Sequence, residues 1–125
     1  MGLDMTKEEF EELVRQAVEK LPKKFKEKLD NVDLVIEAWP TPEKLREVGI
    51  PVSRTILGLY QGVPKTKRRT YFGVLPDKIT IFAGPILAVS STPKEVKERV
   101  AQVVRHEIAH HFGLSEEEVQ EAEKG

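Results

Sequence analysis

Apolar residues near the start of the chain recur at helical intervals. Phe10, Leu13, Val14, Ala17, Val18 and Leu21 fall on one face of a 3.6-residue period. Thr6 with Glu9 three residues later reads as a capping box that opens this helix. Pro22 interrupts it, and the charged stretch 23–30 has no period that decides its state. Val32, Leu34 and Ile36 then alternate with Asp33 and Glu37, which predicts a strand over 32–38. Trp39 before Pro40 reads as a structural residue closing that strand. Thr41-Pro42 is an N-cap followed by proline at the first helical position, giving a short helix to about Val48.

The centre of the chain is β-like. Residues 54–60 read as a strand, 61–70 as a basic loop, and 71–75 and 78–82 as short strands joined by Pro76-Asp77. Their tight spacing predicts an antiparallel hairpin. The stretch 84–91 is ambiguous, because Gly84-Pro85 breaks its pattern. Thr92-Pro93-Lys94-Glu95 combines an N-cap, an early proline and a capping-box acid, so a helix runs from 93 to about 112. Gly113 ends it. Ser115 with Glu118 is a further capping box, opening a short last helix.

Composition narrows what these elements build. At 125 residues the chain fits one domain, 1–125. Hydrophobic residues at 39% and charged residues at 33% are a soluble, globular mixture. Twenty basic and 21 acidic residues leave a net charge of −1, which argues against nucleic acid or an anionic membrane as a partner. There is no cysteine, so disulfides, thiol nucleophiles and zinc-finger sites are excluded. Any metal must be held by His, Asp and Glu. The acidic start MGLDMTKEEFEE has no apolar leader, and the expected compartment is the cytoplasm. A monomer is the default.

The chemistry is concentrated at one place. All three histidines lie at positions 106–111, and His106-Glu107-Ile108-Ala109-His110 is H-E-x-x-H. Residues four apart on a helix stand about 40° apart and one turn up, so both imidazoles aim at one point. Two imidazoles and one more ligand leave a fourth position on Zn2+ open to water. Glu107, displaced around the helix, can take the proton of that water as general base. Val96, Val100, Val104, Ile108 and Phe112 form an i, i+4 stripe roughly opposite the two histidines, which anchors the helix in the core. Gly113 lets the chain turn back, and Glu116 stands ten positions after His106, so it is the candidate third ligand. Glu117 competes for that role. Acids there also suit a helix's first turn.

Three other features have two readings each. His111 points about 100° away from His110, so it packs or supports the site rather than ligating. Tyr60 either hydrogen-bonds an oxyanion near the metal or simply packs its ring. The basic run Lys65–Arg69 is a solvated loop over the cleft or an anion-binding loop.

The string RHEIAHHFGLSEEE resembles that of the small bacterial zincin-like metallopeptidases, sometimes called minimal metalloproteases. The strings Ile56–Gly62 and Leu75–Ile86, the acidic first helix and VDLVIEAWP are also similar to theirs, so the resemblance covers nearly the whole chain. It implies an α+β, zincin-like fold, in which a small mixed sheet packs against the N-terminal helix and the H-E-x-x-H helix. It implies zinc on His106, His110 and an acid at 116, where the family pattern usually has Asp and this chain has the longer Glu. No methionine follows Glu116, so a metzincin Met-turn is not expected. By analogy with zincins generally, the strand edging the cleft pairs with an extended peptide, a role for 78–82 or a neighbouring strand. The expected activity is zinc-dependent hydrolysis of a peptide or protein substrate. The competing expectation is a metal-binding regulatory or interaction module with little or no proteolysis.

Overall fold

The computed structural model describes residues 3–51, 56–62, 69–70, 73–74, 76–115, 117–118 and 120–121. Helix α1 (Lys7–Glu19) starts at the expected capping box: the Thr6 hydroxyl accepts from the Glu9 amide, and the Glu9 carboxylate accepts from the Thr6 amide. The Thr6 backbone and side-chain hydrogen bonds hold the exposed Glu9 carboxyl below its usual range. The charged stretch after Pro22 is helical, as α2 (Lys23–Lys28), and it buries Phe25. Asn31 takes a left-handed turn (φ 61°) into strand β1 (Val32–Glu37). Helix α3 (Pro42–Glu47) follows its Thr41 cap.

Strand β2 (Gly58–Gln61) begins later than the pattern predicts, and positions 54–55 of that prediction lie outside the described residues. Strands β3 (Arg69–Thr70) and β4 (Gly73–Val74) pair with each other, Arg69 opposite Val74 and Thr70 opposite Gly73. Strand β5 (Asp77–Phe82) instead joins β1 in parallel and β2 antiparallel, in the order β1-β5-β2. This corrects the expected hairpin between 71–75 and 78–82. It also removes 78–82 as a cleft edge, because β5 is the central strand and is hydrogen-bonded on both sides. The neighbour β2 is at the edge.

The ambiguous stretch contains helix α4 (Ala83–Ala88), with Pro85 in its first turn, where no intrahelical N–H is needed. Helix α5 (Pro93–His111) is capped by Thr92, whose hydroxyl accepts from the Glu95 amide. One apolar cluster joins Phe10, Val14, Ala17 and Leu21 of the N-terminal segment to Ile79 and Ile81 of β5 and to Val96, Val100, Val104 and Ile108 of α5. The mixed sheet packed among helices is the α+β architecture compatible with a zincin-like fold. Phe112 leaves the stripe: α5 stops at His111, and the ring is 43% exposed beneath the Lys28 ammonium, which stands 4.6 Å from its centroid. No helix among the described residues is long and apolar enough to cross a membrane.

Candidate functional site

Helix α5 sets the site by burying Val96, Val100, Val103, Val104 and Ile108. That leaves His106 and His110 exposed and Glu107 half-buried on the other side. The two imidazoles stand one turn apart, with ring centroids 6.4 Å apart. Neither takes a hydrogen bond or an ion pair among the described residues. Two rings sharing a tetrahedral zinc at about 2.0 Å per bond bring their centroids to roughly 5 Å. Side-chain rotation at two exposed residues covers the difference, so the pair fits a shared ion.

The third corner differs. Glu116 lies outside the described residues. No group of three His, Asp or Glu among the described residues is placed to hold a metal. Glu117 helps line a groove with Lys24, Lys28 and Leu114, whose walls do not include the histidine pair. Glu118 exchanges hydrogen bonds with Ser115, as the capping box predicts. The turn before them is a Schellman motif: the Gly113 amide donates to the His110 carbonyl and the Leu114 amide to that of Ala109, with Gly113 left-handed (φ 64°).

The edge strand meets α5 at Glu107. The Leu57 carbonyl accepts from Phe82 N–H across the sheet, at 3.0 Å. Antiparallel pairing alternates, so Leu59 also faces β5 while Gly58 and Tyr60 turn their amides and carbonyls outward. The outward Tyr60 N–H donates to Glu107 Oε1 at 2.9 Å. The helix lies close under the strand: a Cβ at Gly58 would collide with the Val103 side chain.

Tyr60 is held at its other end as well. Its hydroxyl donates to Asp77 Oδ2 at 2.8 Å, and Asp77 is only 8% exposed. Its ring stacks on His111, with centroids 3.8 Å apart and planes at 16°. His111 Nε2 lies 3.8 Å from Asp77 Oδ2. Phe112 meets both rings edge-on. His111 therefore packs beside the site, and the Tyr60 proton goes to Asp77. Sequence reasoning placed Asp77 in a turn and missed it. The available signal was an acid opening a strand in which Ile79, Ile81 and Phe82 are apolar. Of the basic run, Lys65–Arg68 lie outside the described residues.

Between β2 and α5 runs a groove of about 470 Å³. Ile56, Leu57 and Gly58 form one wall and Arg99, Gln102 and Val103 the other, with His106 and Glu107 at one end. The arrangement offers two uncommitted imidazoles, a carboxylate beside them and an outward-facing strand edge.

The family model of zincin-like metallopeptidases matches residues 29–125. The chain belongs to the zincin-like metallopeptidase family. Among solved structures, this zincin-like chain is similar to a conserved hypothetical protein from T. thermophilus, at 29% identity and a TM-score of 0.54, over 86% of this chain and 94% of that one. No curated protein matches it.

Proposed function

We propose that the chain is a zinc-dependent hydrolase of peptide bonds, with Glu107 as general base. His106, His110 and Glu116 would hold the ion. Zinc, when bound, supplies Lewis acidity and water activated near neutral pH. The observation that carries the reading is the uncommitted imidazole pair beside Glu107, at the end of a groove roofed by the edge strand β2. An extended peptide adds to β2 through the outward groups of Gly58, which gives affinity with little sequence choice. Glu107 receives the proton of the attacking water and delivers it to the leaving amine. Its seat against Tyr60 N–H fixes the carboxylate for that transfer.

The same hydrogen bond favours a second reading. A carboxylate committed to the edge strand suits a metal-bearing binding module that turns nothing over. A peptide-library cleavage assay with Glu107→Gln as control separates the two. The hydrolase reading expects cleavage by the zinc-loaded protein, and a Glu107→Gln variant that keeps its metal but loses turnover. Full activity in that variant rules out the mechanism, and no cleavage by the parent protein favours the binding module.

A further inference from the structure

We propose that the groove between β2 and α5 is a subsite for a carboxylate on the substrate, with Arg99 as its counter-charge. This rests on the peptide-binding reading above and adds a substrate class to it. Arg99 precedes His106 by seven residues, which returns it to within about 20° of the same helix face. It stands two turns away, roughly 10.5 Å along the axis, and helical side chains lean toward the N-terminus, so the guanidinium sits at the far end of the groove.

That guanidinium has no ion pair among the described residues, although Glu95 and Glu98 line a neighbouring groove with it. Its Nε is buried with no hydrogen-bond partner. A half-buried cation without a counter-charge is costly, and a carboxylate entering the groove offsets that cost through a charge-assisted pair. The wall facing it is apolar among the described residues, Ile56 and Leu57, and Arg99 is the cation that lines the groove there. Glu95 and Glu98 share the neighbouring groove with Arg99 but form no ion pair with it, and Glu107, about 12 Å along the axis, lies beyond the screening length of about 8 Å in physiological salt.

Direction follows from the register of strand and helix. Tyr60 lies by Glu107, Gly58 by Val103, and Ile56 and Leu57 border the part of the groove that Arg99 walls. A substrate strand antiparallel to β2 therefore places its C-terminal residues toward Arg99. At about 3.4 Å per residue, 10.5 Å corresponds to roughly three residues. The recognised carboxylate is thus an acidic side chain about three positions after the cleaved bond, or the peptide's own C-terminus.

The test is binding of fluorescent alanine-based peptides to zinc-loaded Glu107→Gln protein, measured by anisotropy. The peptides differ by one Glu or Lys scanned through the sequence, and each has a free or amidated C-terminus. Glu peptides should bind about ten-fold tighter than their Lys counterparts at the matching position, the size of one charge-assisted hydrogen bond. If the chain end is the source, the free-acid peptides should hold that advantage over the amides instead. Arg99→Gln should erase the preference, Arg99→Glu should reverse it, and Arg99→Lys should retain it. An unchanged preference in Arg99→Gln, or no discrimination by the parent protein, overturns the subsite. Arg99-dependent binding, with no cleavage of the same peptides by the zinc-loaded parent protein, overturns only the hydrolase reading. Cleavage without charge preference overturns only the subsite. No binding to any peptide overturns both.

Discussion

Tyr60→Phe removes one oxygen and little else. The phenyl ring keeps its stack on His111, and the backbone amide remains for Glu107. What is lost is the 2.8 Å hydrogen bond to Asp77, a carboxylate that is 8% exposed. A hydrogen bond to a charged group contributes about 1.5–3 kcal/mol. Asp77 has further interactions, so its charge is not left bare, and the lower part of that range applies. For a domain of this size, about 1.5–2 kcal/mol lowers Tm by roughly 5–10 °C. Urea denaturation of the metal-free protein measures it in a double-mutant cycle of Tyr60→Phe, Asp77→Asn and the pair. Residues in direct contact should show a coupling of about 1 kcal/mol or more. Additivity within about 0.3–0.5 kcal/mol refutes the contact, and with it the account of how Tyr60 is held against Glu107.

Two further outcomes concern the metal corner and the far side of the sheet. Glu116→Ala should weaken zinc affinity and Glu117→Ala should leave it unchanged, by competition titration with a chromogenic chelator; metal loss only in the second variant reverses the assignment. Gly84→Ala should cost about 1–3 kcal/mol by overpacking, because its Cβ would strike the Trp39 indole and stand 2.7 Å from the Ala38 carbonyl oxygen. Trp39 is the one tryptophan in the chain and is 55% exposed, so a change in its emission intensity or anisotropy reports its displacement, and unchanged emission and stability rule out the packing.

What the sequence made legible was local chemistry. Thr6 with Glu9, Thr41-Pro42, Thr92-Pro93 and Ser115 with Glu118 all form caps, because each needs only neighbours three residues apart; only the expected box acid Glu95 differs, its carboxylate accepting from the Ser91 amide and not from that of Thr92. The histidine pair is equally local. Strand order was not legible. Pro76-Asp77 looks like a hairpin turn, yet β5 finds its partners 17 to 45 residues away, where the burial of Ile79 and Ile81 decides the pairing. Pro85 hid α4, since a proline breaks a helix except in its first turn. Gly113 was legible as the helix stop, but Phe112, which continues the apolar period, is the cap residue beside that left-handed turn and stays 43% exposed. Asp77 and Arg99 drew no attention because their meaning depends on what folds beside them.

The pairing of β1 with β5 in parallel has a consequence for how the molecule assembles. Val32 meets Asp77 and Tyr60 meets Glu107 across 45 and 47 residues of chain, and contacts that distant form slowly, because loop closure comes before any reward. The imidazole pair needs only one turn of one helix. During folding, two of the three proposed metal ligands therefore come together before Glu107, the proposed base, is seated against Tyr60. A refolding time course should register metal uptake ahead of native tyrosine absorbance.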